Sequence, residues 1–480
     1  MPSLTGGVTP DLQFFNVVDG KIRFAKEHHQ VIDPRTEEPL WDAPFASTQD
    51  LDDAVEAARR AFKTWKKTTV AERQAKITEV AKCIEDNKKL LSEILMKETG
   101  KPQMMAENEI ERTVAHFEYY ITVALEDEIQ FEDEKTTVIA THAPIGVLGA
   151  ISPWNFPVIL SSIKVVSALA TGNCVIIKPS PFTPYSLLKF CELAQSVLPP
   201  GVFQAVNGGA ELGERITLHE GIDHVSFTGT IAVGRRIMEN CARTFKRVIL
   251  ELAGNDAAIV CEDVDLERVV PLVAAGALTH AGQICVASKR VYVHEAIYDR
   301  FLELLVEEVK KFAGHDDPTV PNLCGPISNK VNYERLRGII EDCKKNDHNI
   351  VAGGEVHADR TGFWISPTIV SRPPEDSFLV SEEQFGPIIP LLSWTDEDDV
   401  IARANSLDNA GLGASVWTPD AERAQRIARQ LEAGSVWINQ PELPHQGSFF
   451  SGWKLSGYGG ELGRRGLLNY TNTQSLLVAK

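Results

Sequence analysis

GVLGAISPWNFP (146–157), CVIIKPSPFTP (174–184), GVFQAV (201–206), HVSFTGTIAVG (224–234) and RVILELAGN (247–255) follow one another in a single stretch of the chain. Each carries a short run rich in Val, Ile, Leu or Phe. Runs that are apolar throughout, without alternation, belong to strands buried on both faces. Helical spacing occupies gaps between them, at 183–197 and 231–241. This alternation predicts a parallel, doubly wound α/β sheet. Ligands in such sheets sit outside the carboxyl ends of the strands, so the residues closing each run carry the interest.

Outward from this stretch the pattern is helical. Thr48 is placed to cap a helix with an acidic first turn (Asp50, Asp52, Asp53) and an apolar face of Leu51, Val55, Ala58, Phe62 and Trp65. A second helical region is expected from about 70 to 99, stopping at Gly100 before Pro102. Beyond residue 251, helical patterns at 266–281 and 296–312 predict a second α/β lobe. No repeat or low-complexity linker is present.

The 480 residues, 43% hydrophobic, suffice for two cores. A net charge of −18 argues against a general nucleic-acid binder, which needs clustered Lys and Arg. The eight cysteines form no CxxC pair, which argues against a zinc knuckle, and so sparse a set does not make a disulfide scaffold. A reducing compartment and no metal are expected. The opening MPSLTGGVTPDLQFF has no basic segment followed by an apolar one, so no signal peptide is expected there. The longest nearly apolar run, 158–170, is too short to span a bilayer and contains Lys164. No membrane partner and a soluble, cytoplasmic protein are expected.

Four segments contain residues suited to chemistry. In HAGQICVASK (280–289), small residues around Cys285 leave room for a ligand to approach a nucleophilic thiol; the same residue also reads as a small buried hydrophobe. His280 is read as structural. Glu251, directly after RVIL, is either a general base raised by burial or one half of a salt bridge. SPWNFP (152–157) pins one amide, Asn155, which serves equally as an oxyanion donor or a turn former. The turns after CVIIK and HVSF lead into helix N-termini that suit a phosphate, with Lys178 either a ribose or phosphate ligand or a solvated strand end.

Taken together, PWNFP (153–157), ALATGN (168–173), KPS (178–180), FTGT (227–230), ELAG (251–254), GQIC (282–285), EEQFGP (382–387), GSVWIN (434–439) and SGWKLSGYGGELG (451–463) occur in the order and spacing of one family. The chain resembles the aldehyde dehydrogenase superfamily of the hydrolytic, NAD(P)-dependent type. The resemblance implies a Rossmann-like dinucleotide-binding domain (1–122 and 142–251, plus about 448–465) and a catalytic domain (252–447). A β oligomerisation element (123–141 and 466–480) would make a homodimer or homotetramer, with a hairpin near 123–141 and a final strand at 473–478. It implies Cys285 as nucleophile, Glu251 as base for the hydrolytic water, and Asn155 with the Cys285 backbone N–H as oxyanion donors. Lys164 would assist proton transfer or be structural. For NAD or NADP it implies Lys178 and Ser180 near the adenosine ribose, Gly229 and Thr230 at the pyrophosphate, Trp154 beside the cofactor, Glu383 on the nicotinamide ribose and Phe385 against the nicotinamide. An aldehyde thereby becomes a thiohemiacetal, then a thioester, then the acid.

Three departures from the family pattern stand out. Pro181 replaces a Glu that in many relatives grips the adenosine ribose, which opens the choice between NAD and NADP. ELAGND replaces ELGGK and alters packing behind Glu251. Ile163, Ile284 and Val286 make the expected substrate tunnel aliphatic. The rivals are a CoA-acylating relative, which would lack Glu251, a non-catalytic relative, and a cysteine hydrolase, for which the dinucleotide loops are superfluous.

Overall fold

The computed structural model describes residues 11–357 and 359–480; most of the opening stretch 1–15 lies outside them. The α/β fold of two parallel-sheet lobes expected from the sequence is the one observed. In the first lobe an eight-stranded sheet runs Gly457–Tyr458, Arg247–Glu251, His224–Thr228, Val147–Ile151, Cys174–Lys178, Phe203–Ala205, Asn16–Val18, Lys21–Arg23. The central five strands are parallel and both edges antiparallel. Chain order reverses on either side of Val147–Ile151, so a crevice opens there at the strands' carboxyl ends. One continuous apolar core backs this sheet.

The second lobe is a seven-stranded sheet, in the order Asn349–Ala352, Thr368–Ser371, Ile388–Trp394, Ser288–His294, Asp256–Val260, Gly413–Trp417, Ser435–Ile438. Its pairs are parallel apart from the Asn349–Ala352 edge. Separate apolar clusters cover it. A smaller one gathers around the 284–286 turn, joining Ile163 and Leu462 of the first lobe to Val286, Leu412 and Trp437.

A third sheet pairs Thr471–Ala479 with Thr136–Pro144 over nine residues, and Glu128–Glu132 lies on its other side. Ile129, Phe131 and Leu477 of this sheet are exposed. No helix among the described residues is long and apolar enough to cross a membrane.

Several local expectations are corrected. The helix Thr48–Trp65 is capped by Ser47, not Thr48: Ser47 is extended and its hydroxyl accepts from Asp50 N, while the Asp50 carboxylate accepts from Ser47 N in return. The region 70–99 is two helices, Val70–Asp86 and Lys88–Thr99. Asn87 leaves the helical region (φ −113°, ψ 15°) and its amide donates to Cys83 O at 2.8 Å, the local competition that makes Asn a helix terminator. The stop at Gly100 holds, with φ at 73°. The helix expected over 266–281 ends at Leu278, because His280, Ala281 and Gly282 all take positive φ (55°, 54°, 68°). At Gly282 no other residue fits, since a Cβ would lie 2.3 Å from Gly386 O. The hairpin Glu27–Ile32 with Pro39–Phe45 was not anticipated.

Candidate active site

The positive-φ turn at 280–282 delivers Gln283, Ile284 and Cys285 to the junction between the lobes. Gln283 is fixed at both ends of its amide: Nε2 donates to His280 O at 3.0 Å and Oε1 accepts from Ser328 N at 2.9 Å. Its carbonyl accepts from Asn155 Nδ2 at 3.0 Å, which ties the amide of the PWNFP turn to the backbone two residues before Cys285. That turn is itself held. Pro157 opens the helix Pro157–Ala170, whose Val158 and Ile159 N–H groups donate to Glu109 Oε1 at 2.9 and 3.2 Å. Glu109 forms a fully buried ion pair with Lys101. An orphaned helix start is thus satisfied by a charge that is itself paired.

Around these residues lies a cavity of about 500 Å³, within the range of small-molecule and cofactor sites. Its lining includes Trp154, Asn155, Lys178, Ser180, Gly229, Thr230, Glu251, Cys285, Glu383 and Phe385. The structure therefore brings ten of the eleven candidate residues into one cleft. Lys164 is the exception. It is fully buried behind the cavity wall, where its Nζ donates to Ser226 Oγ at 2.9 Å and to both Glu461 carboxylate oxygens at 3.1 Å. Tyr470 OH donates to the same carboxylate at 2.7 Å. Lys164 acts on the site through its charge, as the largest influence opposing burial at Glu251.

Glu251 closes the strand Arg247–Glu251 and is buried, with Oε1 lacking any partner. Burial pushes its carboxyl up to about 7, against the pull of Lys164 and a hydrogen bond from the Cys285 thiol. Cys285 is half-buried, and burial followed by the neighbouring Glu251 charge raises its thiol well above the usual range. His280 is fully buried, edge-on to Phe156 at 5.2 Å, and burial drives its pKa well down, so it stays neutral.

At the other end of the cleft Thr230 caps the helix Ile231–Ala242, accepting from Val233 N at 3.4 Å. A Cβ at Gly229 would lie 2.5 Å from the Phe227 ring. Lys178 is buried, and burial alone pushes its ammonium down to about 8. Its Nζ donates to Pro179 O at 3.1 Å, and His29 Nε2 to Pro181 O at 2.7 Å. Trp154 and Phe385 meet edge to face at 5.4 Å across the cleft. Arg335 holds the carbonyls of Glu383 and Gln384. Arg335, Glu109 and Lys289 escape a reading by motif, because each meets a partner distant in the chain, and Lys101 pairs with Glu109. Glu461 sits within a quoted motif, and a carboxylate among glycines was the available signal.

A thiol, a buried carboxyl and a backbone-pinned amide thus line one switch-point cleft of an α/β scaffold. Comparison with known proteins gives the family. The aldehyde dehydrogenase family model matches residues 22–476. The aldehyde dehydrogenase LUC3 of Fusarium sp is 39% identical, over 97% of this chain and 99% of that protein. The putative aldehyde dehydrogenase FUS7 of Gibberella fujikuroi is 38% identical, with the same coverage. The NAD+ complex of aldehyde dehydrogenase from Bacillus cereus superposes with a TM-score of 0.94 at 34% identity, covering 98% of this chain and 97% of that one. Betaine aldehyde dehydrogenase from Staphylococcus aureus with NAD+ gives 0.93 at 29% identity, covering 97% and 95%. The chain belongs to the aldehyde dehydrogenase family and is an aldehyde-oxidising oxidoreductase.

Proposed function

We propose that this chain converts an aldehyde to the carboxylic acid through a thioester on Cys285, with NAD or NADP as hydride acceptor and water as the final acyl acceptor. The observation that carries this reading is one cleft lined by a thiol, a buried carboxyl with a free oxygen and a backbone-pinned amide. The Cys285 sulfur bonds to the carbonyl carbon, and the carbonyl electron pair moves to oxygen. The thiol proton passes to Glu251, which titrates near 7 and so releases it again. Asn155 Nδ2 and the Cys285 backbone N–H stabilise the oxyanion of the thiohemiacetal. Glu251, deprotonated once more, takes a proton from water as that water attacks the thioester, and the sulfur leaves. The Lys164 charge favours the carboxylate form of Glu251 from behind.

Lys178 and Ser180 would hold the adenosine ribose, Gly229, Thr230 and the helix N-terminus the pyrophosphate, Glu383 the nicotinamide ribose, and Trp154 and Phe385 the nicotinamide. The free first-turn N–H groups and a lysine shifted by burial alone fit such a ligand. When bound, the dinucleotide supplies acceptance of the hydride leaving the thiohemiacetal carbon. Residues 1–122 and 142–251, with about 448–465, then form the dinucleotide-binding domain, and 252–447 the catalytic domain. The exposed sheet from 123–141 and 466–480 joins copies into a dimer or tetramer. Eight free cysteines suit a reducing, cytoplasmic compartment.

Removing the amide in Asn155→Ala lowers kcat by about 10²–10³, the usual loss for one oxyanion donor. Undiminished kcat with wild-type dinucleotide binding would remove Asn155 from the mechanism. The function itself is tested by a screen of aliphatic, aromatic and semialdehyde substrates against NAD and NADP, following the reduced cofactor. With Pro181 where many relatives carry the Glu that grips the adenosine ribose, NADP supports turnover within about tenfold of NAD. Reduction that requires added CoA, or none with any aldehyde, overturns the proposal.

A further inference from the structure

The ELAGND departure places a carboxylate, Asp256, at the start of the strand Asp256–Val260, buried and with both oxygens unpartnered. The neighbouring strand Ser288–His294 answers it with an irregularity. Asp256 pairs with Ser288 but Ala257 pairs with Arg290, so Lys289 is the extra residue of a β-bulge. A bulge beside a site re-aims the side chain it carries. Here the side chain turns to the nucleophile. Lys289 is 3% exposed, and its Nζ donates to Ile284 O at 2.9 Å and to Cys285 O at 2.5 Å. It also forms an ion pair with Glu383 Oε1 at 3.1 Å. Three ammonium protons therefore meet three acceptors. Glu383 Oε1 receives Gly254 N as well, at 3.4 Å, which leaves its second oxygen for a ligand.

We propose that Lys289 is a positioning residue that ties the nucleophile to the cofactor end of the cleft, one ammonium fixing the Cys285 carbonyl and the Glu383 carboxylate relative to each other. This rests on the roles given above to Cys285 and Glu383. Two consequences follow from the geometry. Lys289 sets the Glu383 rotamer that meets the nicotinamide ribose. It also places a positive charge beside the thiol, opposing Glu251 and Asp256, the carboxylates that act on Cys285. Lys289 in turn faces Glu383, Asp256 and Glu442.

The test uses the full chain without aldehyde. Iodoacetamide modification of Cys285 is followed against pH, the modified residue being read by peptide mass. Binding of NAD and NADP is followed by tryptophan fluorescence. Lys289→Gln raises the alkylation midpoint by about one pH unit and weakens dinucleotide binding roughly tenfold; Lys289→Arg, which keeps the charge, returns the midpoint toward wild type. Asp256→Asn removes an opposing charge and moves the midpoint down. A folded Lys289→Gln variant with both readouts unchanged, or Lys289→Arg shifting the midpoint as far as Lys289→Gln, overturns the proposal. If Lys289→Gln does not fold, an unmoved midpoint in Asp256→Asn overturns it. A wild-type protein that binds neither dinucleotide instead overturns the function on which the inference rests.

Discussion

Replacing Cys285 with alanine abolishes aldehyde-dependent reduction of the dinucleotide, a loss of at least about 10⁴-fold, while the protein remains folded and binds its cofactor. The size of the effect follows from the lack of a substitute. Of the other seven cysteines, six are buried, and Cys83 lies on the helix Val70–Asp86 away from the cleft. Every later step depends on the sulfur–carbon bond, so its removal stops all of them. The structural cost is small, because Cys285 is half-buried and the contacts that fix its loop are made by the carbonyls of 283–285 and not by the sulfur. Melting temperature and fluorescence titration with NAD verify that the variant is intact. Turnover in that variant above about a hundredth of wild type would refute the covalent mechanism.

Much of this site is legible in the chain because its residues close strands. Asn155, Lys178, Gly229 and Glu251 lie at or just past the ends of four of the five apolar runs, and a doubly wound sheet gathers strand ends at one crevice. Cys285 comes from a different lobe, and no local pattern announces its approach to Glu251. Nine ordered motifs identified the pairing by resemblance; its physical cause is the left-handed turn at 280–282. Boundaries were less legible where a polar side chain competes with the backbone, as at Ser47 and Asn87. Lys164 illustrates the same limit. By resemblance Lys164, about two turns into an apolar helix, matches a lysine that assists proton transfer or is structural, but its partner Glu461 lies 297 positions away and holds it behind the wall. Lys289 was unreadable for a related reason, since a bulge depends on register between two strands.

Glu251→Gln leaves a single-turnover burst of reduced cofactor followed by steady turnover slower by about 10²–10⁴, the range contributed by a positioned general base. The side chains are nearly isosteric, so the cleft keeps its shape, and the thioester still forms at Cys285, more slowly because the thiol must now lose its proton to solvent. Hydrolysis fails because an amide cannot take the proton from water. The pH dependence fixes the assignment. Burial disfavours the charged carboxylate and holds Glu251 near 7, and the working form is the deprotonated one. Steady turnover of the wild type therefore falls as pH drops through about 7, and that limb is missing from the residual rate of Glu251→Gln. Added hydroxylamine, which attacks a thioester without needing a base, restores turnover in the variant and hardly accelerates the wild type. Undiminished steady turnover, or an unchanged acid limb in the variant, removes Glu251 as the base; turnover restored by CoA alone, with hydroxylamine ineffective, transfers the acyl group from water to the thiol acceptor.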